Sequence, residues 1–346
     1  MSRLIKDKYE SYKTYCNERF YQLKANEEEL NRIFIEIYGL QDELTPDVPE
    51  KDVTVHFVAD KKEDAPEGLQ NSSYLLTKRD VIKQLISYAV GCMFGRYSLD
   101  KDGLIIAGEI SRDLLTKHIG LYYLTETVNS CDNEYDLTAN HFGIDADNCI
   151  PITDEYYFDD DIVFRFCEFI RVAYGAETLE ENLDFIADAL ENKGNTSREI
   201  IRNYFLNDFI KDHIKTYQKR PIYWLFDSGK QNGFKALCYM HRWNADTIGN
   251  MRVEYLHRMQ RVYDKEIERM QEIIDNSRDN KEINKATKRK EKLQKQLKET
   301  KEYDAKVAHL ALSRIDIDLD DGVKVNYEKV QTASDGQKMQ ILIQIK

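Results

Sequence analysis

The stretch from Arg220 to Trp243 concentrates residue types that recognise charged and aromatic ligands. It reads Arg-Pro-Ile-Tyr-Trp-Leu-Phe-Asp-Ser-Gly-Lys-Gln-Asn-Gly-Phe-Lys-Ala-Leu-Cys-Tyr-Met-His-Arg-Trp. Two aromatic, β-prone runs flank a short polar loop holding Gly229 and Gly233, the pattern of a β-hairpin. The tip offers a cation and two amides, Lys230, Gln231 and Asn232, and the ends carry Lys219, Arg220, His241, Arg242 and Trp243. Such a ribbon can meet nucleic acid through phosphates, base edges and stacking. On composition alone the same residues better suit a buried structural hairpin with a solvated tip.

Other reactive types are arranged less tellingly. Cys16, Cys92, Cys131, Cys149, Cys167 and Cys238 are scattered, with no Cys-x-x-Cys pair, which argues against a zinc site and a disulfide framework. Cys92 and Cys238 sit inside apolar runs and read as small core residues. Asp159, Asp160 and Asp161 precede Ile162 to Val172, a run with the periodicity of a buried helix, where the helix amino end favours carboxylates. A divalent metal is the sharper reading of that trio, yet adjacent positions on a helix end point different ways. Glu191-Asn-Lys193 has the Glu-x-Lys form of some DNA-cleaving centres, but it ends an amphipathic helical pattern that begins near Leu179. Arg96 and Tyr97 suit either a phosphate contact or an internal ion pair. The sequence holds no Ser/His/Asp order and no phosphate loop that would recommend an enzyme.

These groups need a scaffold, and 346 residues at 42% hydrophobic content supply a real core. The longest apolar runs, such as Leu104 to Ala107 and Ile341 to Ile343, fall far short of the roughly 20 residues that cross a bilayer. The opening Met-Ser-Arg-Leu-Ile-Lys-Asp-Lys has no signal-peptide core, so a cytoplasmic location and no membrane partner are expected. The net charge of −12 is unevenly spread. From Glu126 to Glu191 there are 18 acidic residues against Arg165 and Arg171, whereas Thr196 to Arg261 has 12 basic against 6 acidic. A duplex is repelled by the first surface and attracted by the second.

Residues 3 to 37 alternate charged and apolar positions at helical spacing, with Leu23, Leu30, Phe34 and Ile37 on one stripe, and Gly39 stops the helix. Thr45 to Ser73 holds three prolines and reads as a linker enclosing at most one short strand, Val53 to Val58. Asp80 to Phe94 is helical again. Thr196-Ser-Arg-Glu199 caps a helix running to about Tyr217. Its core residues Tyr204, Phe205, Phe209 and Ile214 stand beside Arg202, Lys211, His213 and Lys215, basic side chains placed to extend the hairpin's positive surface.

From Thr247 to Leu310 the apolar set Tyr263, Ile267, Met270 and Ile274 repeats at steps of four and three, the period of a coiled coil. A polar break at Asn276 to Asn280 precedes a resumed repeat, so two helices fold back as an antiparallel pair. Lys290 and Thr300 occupy seam positions, which predicts a semi-independent arm. Lys281 to Lys298 holds eight basic and two acidic residues, suited to a solvated face or to tracking phosphates. Ile315 to Asp318, an Asp320-Asp-Gly322 turn and Val323 to Tyr327 suggest a second hairpin, joined by a strand from Gln340 to Ile345.

Several stretches together resemble the carboxy-terminal region of the adenine-specific DNA methyltransferases of BREX phage-defence systems, the PglX family. They are Leu23 to Asn31 running into Ile37 to Pro46, Ile86 to Asp100, Asn148 to Asp154, the Arg220 to Trp243 segment, and Ile317 to Tyr327, in the family's order. The likeness is weakest from Gly108 to Asn148, either a segment where target sequence is read or a tolerated surface loop. It departs again after Val330. An amino-methyltransferase needs a glycine-rich donor turn, commonly Phe-x-Gly-x-Gly, and an Asn/Asp-Pro-Pro-Tyr/Phe loop for the flipped adenine. Neither occurs here, so methyl transfer by this chain alone is not expected.

The resemblance thus implies the target-recognition and scaffold portion of a longer enzyme, with S-adenosylmethionine held outside this chain. The implied partners are double-stranded DNA, the catalytic domain in cis or trans, and other BREX components. The implied contacts are Lys230, Gln231 and Asn232 at the hairpin tip, Lys219, Arg220, Lys235 and Arg242 on phosphates, and Lys288 and Arg289 on the helical arm. The alternative is a protein-docking module for other defence-system components. The expected fold is α+β and helix-rich: an amino-terminal helix and linker (1–73), a mixed α/β recognition body (74–246), a protruding antiparallel coiled-coil helical hairpin (247–312) and a β-hairpin or strand (313–346).

Overall fold

A computed structural model describes residues 2–100, 102–107 and 142–345. Cys131 and residues 108–141 of the divergent segment lie outside the described residues. The amino-terminal pattern folds as a 34-residue helix, α1 (Ile5–Tyr38). It ends where Gly39 takes a left-handed φ of 66°. The Gly39 N–H then donates to the Glu36 carbonyl and the Leu40 N–H to that of Ile35, which satisfies the last carbonyls of the helix.

Residues 45–73 fold against α1 instead of running as a linker. Val53, Phe57, Ala59, Ala65 and Leu69 close a small core around Phe20. Pro49 and Pro66 do not break this segment, because each stands at the start of a short 3-10 turn where its fixed φ fits. β1 (Phe57–Ala59) pairs in parallel with β2 (Leu75–Thr77). α2 (Lys78–Met93) follows at once, with Thr77 and Asp80 exchanging a reciprocal capping box.

The body continues with β3 (Ile150–Pro151), α3 (Ile162–Tyr174), α4 (Leu179–Leu190), α5 (Ser197–Asn207) and α6 (Phe209–Thr216). Asp161 caps α3, its Oδ1 accepting from the Phe164 N–H at 2.8 Å. The single helix expected up to about Tyr217 is broken at Asp208, where φ reaches −123°. That break lets Phe205 and Phe209 both pack into the core, with ring centroids 5.4 Å apart.

β4 (Tyr223–Asp227) and β5 (Lys235–Tyr239) form the predicted hairpin, with Leu225 opposite Leu237. β5 is the central strand of a sheet ordered β3-β5-β4. The chain's last apolar run lies along the free edge of β4: the Asp227 N–H donates to Ile341 and the Ile343 N–H to Leu225. This covers an otherwise open strand edge.

α7 (Thr247–Asn250) passes through a π-helical stretch, Met251–Leu256, into α8 (His257–Asn276), and α9 (Asn280–Leu312) returns beside it. The pair is antiparallel: Arg252 meets Asp304, Gln260 meets Thr300, and Gln271 meets Lys290. Its distal turns are mostly exposed, while Leu293, Tyr303 and Val307 join the main core with Trp224 and Phe166. The second hairpin expected near the end does not form. Leu319–Asp321 is a 3-10 turn and Val323–Lys329 is a helix, α10. The alternation of Val323, Val325 and Tyr327 gave way to a helical face on which Asn326, Tyr327 and Val330 are buried and Val325 is exposed. Tyr327 lies edge-on to Trp224, 5.4 Å between centroids, so the helical form seats this ring in the main core.

Candidate nucleic-acid interface

The β4–β5 loop is held by one carboxylate from the helical arm. Glu299 of α9 accepts from Ser228 Oγ at 2.8 Å, from the Gln231 N–H at 2.8 Å and from the Gly233 N–H at 3.0 Å. Gln296, fully buried, donates to the Gln231 carbonyl at 3.2 Å, and Tyr263 Oη donates to the Gly233 carbonyl at 2.8 Å. A Cβ on Gly233 would stand 2.8 Å from the Gln296 carbonyl oxygen, so only glycine allows this approach. The loop backbone is thereby fixed, while the side chains of Lys230 and Gln231 face solvent and Asn232, at φ 52°, is half-buried. A cation and an amide on a preorganised turn can contact a phosphate or a base edge without paying to order the loop.

Lys219 and Arg220 are exposed at the opposite end of the hairpin, separated from Lys230 by the length of β4, on the order of 20 Å at about 3.3 Å per residue. Gln218 and Lys219 are consecutive non-glycine residues in the left-handed region, at φ 49° and 61°. Such strain collects where a turn must present particular side chains. Lys219, Arg220, Lys230 and Lys288 have no ion-pair partner among the described residues. They are free to meet phosphate.

The remaining residues expected at the interface are spent internally. Lys235 is buried, donating to the Leu206 carbonyl at 3.2 Å with Asp227 at 3.8 Å, and burial pushes its pKa down. Arg242 is buried and donates to the Ala146 carbonyl at 3.2 Å. Arg289 pairs with Glu155 at 2.8 Å and also donates to Tyr157. Trp243 is buried, its indole N–H donating to the Ile315 carbonyl, so it offers no face for stacking on a base. The basic face expected on α5 and α6 is likewise half inward. Arg202 holds Asp161 at 2.5 Å in the core and His213 is buried, leaving Lys211 and Lys215 outside.

The other candidate centres resolve into structural contacts. Asp161 caps α3, Asp160 accepts from Tyr255 at 3.0 Å and Asp159 from Tyr156 at 2.8 Å, so the three aspartates turn to three partners. Glu191 is the left-handed cap of α4, and Asn192 donates to Asn203 and Asp208. Arg96 hydrogen-bonds the Tyr239 and Tyr97 hydroxyls at 3.0 and 3.3 Å. Cys92 and Cys238 are buried and free, as core residues. Sequence reasoning missed Glu299 and Gln296. The available signal was the polar Gln296 and Thr300 within an apolar repeat, which marks where the hairpin packs.

The chain is 42% identical over 327 residues to the adenine-specific methyltransferase PglX of Lacticaseibacillus casei (strain Zhang). It is 37% identical over 329 residues to the adenine-specific methyltransferase BrxX of Escherichia coli O9:H4 (strain HS). The alignments take in 93% and 92% of this chain but 24% and 26% of those relatives, so the chain spans about a quarter of their length. No protein-family model matches it. Nearly the whole chain is therefore related to one part of the PglX-type adenine-specific methyltransferases.

Proposed function

We propose that this chain is a non-catalytic DNA target-recognition and scaffold portion of an N6-adenine DNA methyltransferase of a BREX-type phage-defence system. The observation that carries the reading is its 42% identity, over almost its full length, to a quarter of an adenine-specific methyltransferase. The exposed, unpaired cations at both ends of a rigid hairpin support it. Lys230 and Gln231 at the tip and Lys219 and Arg220 at the base engage DNA, Lys288 adds a phosphate contact from the arm, and methyl-donor chemistry belongs to another part of the enzyme. Asn232 supports the tip through its left-handed backbone more than through its side chain.

Fluorescence anisotropy with a short duplex at two salt concentrations tests this, with and without the remainder of the L. casei relative. Binding should be salt-sensitive. Lys230→Ala and Arg220→Ala should each weaken binding to all sequences and lower the salt slope by about one unit. Unchanged affinity after both substitutions would refute the hairpin assignment. A second reading, a module docking other defence components, is favoured by the acidic stretch up to Glu191, and complete absence of DNA binding in both settings would move the conclusion to it.

A further inference from the structure

The buried residues of α1 are Ile5, Tyr9, Cys16 and Phe20, all in its first half. Beyond them the same helix carries Leu30, Ile33, Phe34, Ile37 and Tyr38, spaced i, i+3, i+4, i+7, i+8, and these are between 43% and 70% exposed. That is the spacing of a helix face made to pack. Phe34 and Tyr38 stack on each other at 6.5 Å, and Leu44 adds a further exposed apolar group nearby in sequence. Residues 45–48 return along a different side, where Asn31 meets the Pro46 carbonyl and Glu28 meets the Val48 N–H. They leave the apolar strip open.

The strip's surroundings specify its partner. From Glu27 to Glu50 eight carboxylates stand against one cation, Arg32, which is already paired with Glu29. Glu36, Asp42 and Glu43 have no ion-pair partner among the described residues. A second copy of this chain would bring the same carboxylates face to face, which like-charge repulsion opposes. An apolar surface rimmed by lysine or arginine fits instead. Some three quarters of each relative's length lies outside the part this chain matches, and must lie beside it in the same polypeptide.

We infer that the second half of α1 is the docking face for the rest of the methyltransferase, which seats a basic-rimmed apolar surface on Leu30, Ile33, Phe34, Ile37 and Tyr38. This rests on the relation to the methyltransferases but not on DNA binding by the hairpin. The test uses the L. casei relative lacking its matched quarter as probe, titrated against this chain and against a Phe34→Ser/Ile37→Ser double variant. Both positions are exposed, so the variant should keep the parent's melting temperature. The parent should sediment as a monomer and bind the probe, more weakly as salt rises. The variant should bind at least tenfold more weakly while keeping its duplex affinity. Equal binding by parent and variant, no binding by either, or a parent dimer that the variant dissolves would each overturn the inference. Loss of DNA binding with docking intact would refute only the function proposed above.

Discussion

His213 accepts through Nε2 from the backbone N–H groups of Ile222 and Tyr223, each at 3.1 Å, so its lone pair fixes the start of β4. Burial first, then the Arg96 charge, pushes its pKa down to about 3. In the unfolded chain it titrates near 6.5. Below that pH the unfolded state takes up a proton that the native state refuses until about 3. Stability is therefore lost at about 1.4 kcal/mol per pH unit as pH falls through this window. Asp147 acts in the opposite sense: burial and then Asp145 raise it to about 7, and its contribution is lost as pH rises toward that value. The comparison with His213→Gln isolates the histidine. Between pH 7.5 and 5 the parent should lose about 2 kcal/mol more unfolding free energy than the variant, read from urea midpoints at the two pH values. Parallel losses would mean that the histidine charges in the native state. A sequence shows that residue 213 is ionisable but not which way it faces. His213, Arg202, Lys235 and Arg242 all read as surface cations and all turned inward, because aromatic neighbours on the same elements drew those faces into the core.

At the scale of elements, the hairpin was legible because its signals are local: β-prone runs, a polar loop and two glycines within a few residues. Its anchorage was not, because Glu299 lies 66 residues beyond Gly233, and the polar Gln296 and Thr300 within the apolar repeat mark a packing site on the arm without saying which segment fills it. The same distinction applies to α10, whose local alternation fits a strand but whose Tyr327 packs as part of a helix on Trp224, about a hundred residues away. It also explains residues 45–73, where prolines that suggest a linker start turns closed over Phe20. Glu299→Ala removes an acceptor of three hydrogen bonds and should lower stability by about 2–3 kcal/mol. The accompanying signature is faster hydrogen exchange at the Gln231 and Gly233 amides. A loss of stability without faster exchange there would mean that the loop is held by its own geometry.

Across the whole molecule, the antiparallel pair was expected to be a semi-independent arm because Lys290 and Thr300 interrupt its seam. Thr300 is instead fully buried where the hairpin meets the arm, and Tyr303 Oη donates to the Ile341 carbonyl beside β4. One continuous core therefore runs from Phe166 through Trp224 to Leu293 and Val307. If the proximal arm and the body share that core, they unfold together. Both tryptophans, Trp224 and Trp243, are buried in the body, so their fluorescence reports on it, whereas far-UV circular dichroism is weighted toward the long helices. The two signals should trace one denaturant transition. Leu293→Ala, made on the arm, should cost about 2–5 kcal/mol and move both transitions by the same amount. A dichroism transition that shifts while the tryptophans stay put would make the arm a separate folding unit. The fixed hairpin tip depends on the opposite result, since Glu299 can hold the loop only while the helix that carries it remains folded against the sheet.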